Sequence, residues 1–520
     1  MRAFLLVIGW CLLFSKVLAA DVPVLVYHDI RDAPPTDEYV VTTRMFREQM
    51  AYLKQQGYRP VSLRRLADTA AGKSTLPEKA VVLSFDDGLA SFRDIAMPIL
   101  EEYDFPAVLS VVTGWVDGRR VPAEYRDRLL TWEQLRAVSR SPLVEIVSHT
   151  DDLHHGILAN PQGNLTPASI TRRYDAAGRR YEAETDFRQR IRADLARSKQ
   201  RMHTELGKSS LGIAWPYGFY DQVLAEEAMA LGLHYQLTLA EEPARTGQFP
   251  RINRVILRAA NTIAAFEDIL RFERARRPLR FVEIELDDMA SRPADEQEQW
   301  LSVLLSRLQL LRANAVIVNP FTRDGRHAFF RNDSIPLRAE VLHRVLHQVR
   351  SRAGVDHLLL HIPAINGVKP AALELARRHP YDGVLLAAGH EQAEATALHR
   401  LFEYHHPGVR CGREQGAAWP VCRDFMVVTV ESPLPASRPG VNHDAKSIAT
   451  ITTPGSIPVY VLLQNRPDEN GAQVARALKE LRTSGARNYG LRYGSFLEKP
   501  ANTRRVAVEL AGHTIRGSRN

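Results

Sequence analysis

Two adjacent carboxylates, Asp86 and Asp87, end the apolar run Val81-Val82-Leu83-Ser84-Phe85 and stand directly before Gly88. The run reads as a buried strand and the glycine as the turn that closes it. Successive side chains on a strand point to opposite faces, so one acid can bind a metal while the other moves a proton. The tetrapeptide alone is equally an Asp-Gly turn with a solvated acid. A second apolar run, Leu143-Val144-Glu145-Ile146-Val147, leads into Ser148-His149-Thr150-Asp151-Asp152-Leu153-His154-His155-Gly156. His149 and His154 stand where a loop leaving a strand can fold back and bring both imidazoles to one ion. Either histidine by itself would pass for a surface loop residue. Two neutral imidazoles and one carboxylate suit a catalytic zinc-like site with open positions for water and substrate. The combination points to a metal-assisted hydrolase.

Alternating elements must position these groups. Arg44 to Gln56 has the spacing of an amphipathic helix, and Tyr58-Arg59-Pro60-Val61 reads as a strand entry after Gly57. Ser91 to Tyr103 reads as a helix softly broken at Pro98, before a strand over Ala107 to Val112. Charge dominates Arg172 to Thr204, with apolar residues at helical spacing, which is most simply a solvated helix face. Strands alternating with helices imply a parallel, barrel-like α/β fold, and chemistry at strand C-terminal ends fits such a barrel. A polar run, Glu273 to Pro278, marks a boundary. Beyond it come a strand at Phe281 to Leu286, a helix at Glu296 to Ala313 and a strand at Ala315 to Asn319. A helix at Leu337 to Ala353 and a strand at His357 to Ile362 follow.

Phe85-Asp86-Asp87-Gly88 and Ser148-His149-Thr150 with His154 resemble the first two motifs of the carbohydrate esterase family 4 polysaccharide deacetylases. Val24-Leu25-Val26-Tyr27-His28-Asp29-Ile30 and Ala214-Trp215-Pro216-Tyr217-Gly218 narrow the resemblance to the circularly permuted poly-β-1,6-N-acetylglucosamine N-deacetylases of the PgaB/HmsF type. Ser141 to Ile146, Asn160 to Asn164, and Asn488-Tyr489-Gly490 with Tyr493 also look like this subgroup. The resemblance implies a deformed (β/α)7 barrel over 20–275. A shortened (β/α)8-like glycan hydrolase domain over 280–520 would follow it. It implies that Asp87, His149 and His154 hold a divalent ion (Zn2+, Ni2+ or Co2+), that Asp86 is the general base, and that His28 is the general acid. Trp215 and Tyr217 would line the substrate, with backbone N–H groups near Tyr217 facing the oxyanion; both could equally be core aromatics beside a proline turn. The implied partners are the β-1,6-linked polymer and an outer-membrane export porin.

Two departures from that pattern stand out. Wider family members tether the base with an arginine on the loop occupied here by Ala214 to Gly218, which has none, and Arg254 is the candidate substitute. In the second half, the strand Asp382-Gly383-Val384-Leu385-Leu386 ends in Ala387-Ala388-Gly389 where relatives carry paired acids. Glycoside hydrolysis needs carboxylates on both sides of the bond, so this half is expected to be hydrolytically inactive; it is also shorter than in those relatives, which implies missing barrel elements. Glu285, Asp287 and Asp324 remain as candidates for a glycan-binding surface.

Composition fits a secreted globular protein of more than one domain. The chain has 520 residues and a net charge of +8. The excess is small and dispersed, which does not favour nucleic acid. Residues 1–19 have the basic start, apolar middle and small-residue exit of a signal peptide, without an obvious lipid anchor, so a periplasmic location is expected. Cys11 would leave with that leader. The other two cysteines, Cys411 and Cys422, are expected to form a disulfide in an oxidising compartment, with free thiols as the alternative. Two further readings remain open: a non-catalytic scaffold of the export machinery, and a deacetylase of chitin-like or peptidoglycan chains.

Overall fold

The computed structural model describes residues 21–32, 38–240, 242–259, 261–273, 277–417, 419–431, 457–464, 469–493, 497 and 500–511. The expected leader lies outside them, as do residues 274–276 of the boundary run. Among the described residues no helix is long and apolar enough to cross a membrane. The chain forms two compact units, the first of residues 1–154, 190–219 and 227–275, the second of residues 155–189, 220–226 and 276–520.

The first unit is built on a curled parallel sheet. Its strands are β1 (Val24–Tyr27), β2 (Ala80–Phe85), β3 (Ala107–Val111), β4 (Val144–Ser148), β5 (Gly212–Ala214), β6 (Tyr235–Leu237), β7 (Arg251–Ile252) and β8 (Val255–Ile256). They pair in the order β7-β6-β5-β4-β3-β2-β1-β8, with Arg59–Pro60 adding to β2. Every residue of β1, β2 and β3 is buried, as expected of strands covered on both faces. The sheet does not close: its two edges, β7 and β8, are joined by only Asn253 and Arg254. This is the incompletely closed barrel that the resemblance implies.

Register sets the chemistry at one end. Tyr27 lies opposite Phe85, Val111 opposite Ser148, and Ser148 opposite Ile213. The residues that follow these pairs, among them His28, Asp86, His149 and Ala214, therefore leave the sheet at the same C-terminal edge. Phe85 anchors that edge from within the core, with its ring 5.2 Å from Tyr27, 5.9 Å from Phe46 and 4.9 Å from Phe92. Burying a ring of this kind contributes roughly 1.5–3 kcal/mol.

Helix α1 (Thr43–Gln55) is capped by the Thr42 hydroxyl and buries Phe46, Gln49, Met50 and Leu53, one stripe at helical spacing. The break expected near Pro98 is a change of winding, from a wide π-type turn over Phe92–Ala96 to helix α2 (Met97–Tyr103). Helix α3 (Glu184–Leu206) occupies most of the charged run.

The second unit holds a closed, all-parallel barrel of β9 (Arg280–Ile284), β10 (Ala315–Val318), β11 (His357–Ile362), β12 (Gly383–Leu386), β13 (Arg410–Glu414), β14 (Phe425–Glu431), β15 (Val459–Gln464) and β16 (Asn488–Arg492). The expectation of missing barrel elements is thus corrected for the strands, since all eight are present and the ring closes. What is short is the link from β13 to β14, which has no helix among its described residues. A disulfide ties Cys422 on that link back to Cys411 in β13, with Cα atoms 4.5 Å apart.

Side chains fill the barrel: Phe281, Ile317, Leu359, Leu385, Phe425 and Tyr460 form its centre, with Phe425 and Tyr460 stacked at 4.7 Å. Gly490 permits the closure between β16 and β9, because a Cβ there would lie 2.1 Å from the Phe281 carbonyl oxygen. Gly490→Ala should therefore force these strands apart and destabilise the second unit by about 1–3 kcal/mol. Chemical denaturation of the full chain checks this, and an unchanged midpoint would contradict it.

Candidate metal centre and its surroundings

Asp86 and Asp87 emerge from β2 into environments of opposite character. Both are buried, Asp87 with a positive φ of 72° that carries the chain into the turn at Gly88. Asp86 is gripped by Arg254, whose Nη1 donates to Oδ1 at 2.7 Å and Nη2 to Oδ2 at 2.9 Å. Arg254 is itself almost fully buried, and two further donors are used: Nε on the Thr238 carbonyl at 3.2 Å and Nη1 on Ser84 Oγ at 3.3 Å. The candidate tether thus reaches Asp86 from the seam of the open sheet, in a bidentate fork suited to a carboxylate.

Burial pushes the Asp86 carboxyl up, but Arg254, followed by His149 and His28, more than offsets it and holds the group well below the usual carboxylate range. For Asp87, burial and the adjacent Asp86 charge push the carboxyl up to about 8, with Arg254 opposing. One acid is therefore ionised by its partner, while the other lacks a cation. The Asp87 Oδ1 atom is buried and has no hydrogen-bond partner.

Two imidazoles face that oxygen. His149 Nε2 lies 3.6 Å and His154 Nε2 3.5 Å from Asp87 Oδ1. The ligand atoms of the three residues all fall within 4.8 Å of one another. His149 Nδ1 sits 2.7 Å from the Ala214 carbonyl oxygen, which can only accept. The proton is therefore on Nδ1, and Nε2 presents a lone pair to the centre. Burial depresses the pKa of both rings, so both are neutral at neutral pH. A buried carboxylate oxygen without a partner, two neutral imidazole nitrogens and a group that needs a positive charge fit a divalent ion. Asp87, His149 and His154 can hold one.

The other expected residues divide. His28 follows β1, with its ring 5.1 Å from Tyr39, and lies close enough to Asp86 and His154 to interact electrostatically with both. Tyr217 is 48% exposed, its ring lies 4.6 Å from that of His154, and its backbone is left-handed at φ 58°. It borders the centre. Trp215 does not: it is fully buried, and its indole N–H donates to Gln236 Oε1 at 3.1 Å. The substrate-lining role expected of Trp215 is corrected to a core residue that supports the loop. Trp115, which the sequence reading passed over, packs against His154 with ring centroids 4.8 Å apart.

In the second barrel, Glu285 is paired with Arg323 and with Arg492, the latter at 3.5 Å. Asp287 accepts from the Arg323 backbone N–H at 3.4 Å, and its Oδ2 is buried without a partner. Asp324 is a turn residue, accepting from Thr322 Oγ1 at 2.6 Å and from the Arg326 N–H at 3.0 Å. Sequence reading missed Glu414. At the end of β13, it accepts the Ala388 N–H at 3.1 Å and pairs with His361 Nε2 at 3.1 Å. An acid therefore does stand beside the alanines that end β12, supplied by the neighbouring strand.

Comparison with known proteins follows the same division. Residues 73–236 match the Polysaccharide deacetylase family and residues 283–405 the family Hypothetical glycosyl hydrolase family 13. A poly-beta-1,6-N-acetyl-D-glucosamine N-deacetylase of Escherichia coli K12 is 33% identical over 346 residues, covering 64% of this chain and 51% of that protein. The chain thus spans about half the length of the curated relatives it matches first. A solved de-N-acetylase from Aggregatibacter actinomycetemcomitans is 33% identical, covering 48% of this chain and all of the other, with a TM-score of 0.45. The BpsB deacetylase domain of Bordetella bronchiseptica is also 33% identical, covering 46% and 97%, with a TM-score of 0.41.

Removing the tether tests the assignment of charge. Arg254→Met should destabilise the protein by about 3–5 kcal/mol, because it strands Asp86 without a counter-charge. In the wild type, the depressed Asp86 pKa contributes stability that is present above the ordinary carboxylate value of about 3.9 and is lost as pH falls below it. Denaturation measured against pH should show that acid-side loss in the wild type and lose it in Arg254→Met. The same acid limb in both proteins would contradict the pairing.

Proposed function

We infer that the chain, which belongs to the polysaccharide deacetylase family through its first unit, hydrolyses the acetamide groups of a β-1,6-linked N-acetylglucosamine polymer and releases acetate. The observation that carries this reading is the partition of Asp86 and Asp87 into one carboxylate fixed by Arg254 and one that faces His149 and His154. The names of the relatives support the polymer as substrate.

Each residue has a defined task. Asp87, His149 and His154 would hold a divalent ion, which would supply Lewis acidity toward the acetamide carbonyl and toward water. Zn2+, Co2+ and Ni2+ all suit this donor set, so availability decides among them. Asp86 takes the proton from the attacking water, with Arg254 fixing its orientation and keeping it ionised at some cost in basicity. His28 delivers a proton to the departing amine, which leaves as a neutral amine rather than as an amide anion. The backbone N–H at Tyr217 faces the developing oxyanion, and its ring forms the rim on which the sugar rests. The products are a glucosamine unit and acetate.

The second barrel is proposed to bind the polymer without cutting it. Glu285 is committed to an ion pair with Arg323, and Glu414 accepts the Ala388 N–H and lies 3.1 Å from His361 Nε2. Glu285 and Asp287 would face the glycan there. Export through an outer-membrane porin, in a periplasmic setting, belongs to this reading. If the first unit were inactive as well, the same binding surface would support a scaffold of the export machinery.

Purified protein stripped with a chelator and refilled with Zn2+, Co2+ or Ni2+ should release acetate from β-1,6-linked N-acetylglucosamine oligomers. Asp86→Asn should reduce the rate by about 10²-fold or more. Release that survives chelation, or that Asp86→Asn leaves intact, would contradict the mechanism. Endo-cleavage of partly deacetylated polymer that is abolished by Asp287→Ala would contradict the inactive second barrel.

A further inference from the structure

The charged run that becomes α3 looks solvated in the sequence, yet one stripe of it is committed to the loops around the metal centre. Asp194, Arg197, Ser198 and Arg201 follow one another at helical spacing on a single face. Asp194 is buried, and its two oxygens accept the backbone N–H groups of Asp151, at 2.9 Å, and Asp152, at 2.8 Å. Arg197 Nε donates to Asp151 Oδ2 at 3.1 Å. Ser198 Oγ is 2.7 Å from Ser148 Oγ, which in turn accepts the Thr150 N–H at 3.0 Å. Arg201 holds Asp117, on the loop after β3, through Nη2 at 2.7 Å.

The two amides that Asp194 receives belong to the residues between His149 and His154. We propose that Asp194 is a positioning residue for the metal centre, fixing the loop so that the two imidazoles meet Asp87 before any ion arrives. This rests on the proposed ligand set. The loop needs an external hold, because Thr150 carries a positive φ of 73° that a β-branched residue adopts only under constraint. Each N–H meets a different oxygen of Asp194, and a carboxamide would turn an NH2 donor toward one of them.

The other side of the loop is pinned through the buried Asp151. Its carboxylate accepts Thr113 Oγ1 at 2.8 Å and two Arg119 nitrogens at 2.9 and 2.7 Å. Its carbonyl accepts the Gly114 N–H at 3.0 Å, an approach so close that a Cβ on Gly114 would lie 2.2 Å from that oxygen. The loop is clamped between α3 and the residues after β3. Ligands fixed in advance bind an ion without first having to be ordered.

The test is the Zn2+ affinity of the metal-stripped full chain, measured by competition with a chromophoric chelator. Asp194→Asn should weaken binding by about 10–100-fold, the range found when groups that orient metal ligands are lost. Thr113→Val, which removes one acceptor bond of Asp151 while keeping side-chain shape, should weaken it by a smaller factor and serves if Asp194→Asn does not fold. Arg192→Gln, on α3 but away from the loop, breaks an ion pair to Glu227 outside that helix and should leave affinity unchanged. At saturating Zn2+, Asp194→Asn should recover acetate release with an unaltered KM. Folded Asp194→Asn or Thr113→Val protein with wild-type affinity would overturn the inference. A wild type that binds no Zn2+ would remove the centre and the inference together. Acetate release is not needed for the affinity comparison, so failure of the deacetylase reading alone leaves the affinities to decide.

Discussion

The buried pair of Arg254 and Asp86 is the interaction on which the rest of this molecule depends. A charge taken out of water is tolerated only when paired and well hydrogen-bonded, and here four of the five guanidinium N–H groups are used, two of them on Asp86. The position of Arg254 follows from the sheet. Because β7 and β8 do not pair, the chain crosses the gap through Asn253 and Arg254, so the link between the sheet edges carries the counter-charge for the acid that ends β2.

That pair also settles what the neighbouring residue can be. Two adjacent carboxylates in a buried place cannot both ionise without cations. Arg254 provides one for Asp86, and Asp87, with His149 and His154 neutral beside it, is left to take the other from an ion. In the proposed function, the division between a base and a metal ligand follows electrostatically from where one arginine sits. Parallel register does the remaining work by bringing the ends of β1, β2, β4 and β5 to one edge.

Much of the centre was legible because its signals are local. An Asp-Asp-Gly strand end and two histidines in a strand-exit loop can be read from composition and spacing, and the structure brings Asp87, His149 and His154 together. Arg254 was legible only as a candidate, since its reach depends on which strands form the sheet edges. Asp194 was invisible: in a run of charges a buried acid looks like its solvated neighbours, and only the loop it receives distinguishes it. Trp215 misled for the opposite reason, because an aromatic beside a Pro-Tyr-Gly turn suits a substrate wall and a core equally. The second barrel appeared to lack elements because chain length reports connections as well as strands. Here the strands are complete and the link from β13 to β14 is the short part. Its acid at the end of β12 also seemed lost, because Glu414 reaches that place from the next strand along.

The most direct measurement of this account is a carbon-13 NMR titration of the aspartate carboxyls in metal-free protein, assigned with Asp86→Asn and Asp87→Asn. The account predicts that Asp86 stays ionised to the lowest pH at which the fold survives, while Asp87 holds its proton until about pH 8. Adding Zn2+ at neutral pH should then drive that proton off Asp87. If both carboxyls titrate near the ordinary value of about 3.9, or if the proton resides on Asp86, the division of roles between the two acids is contradicted.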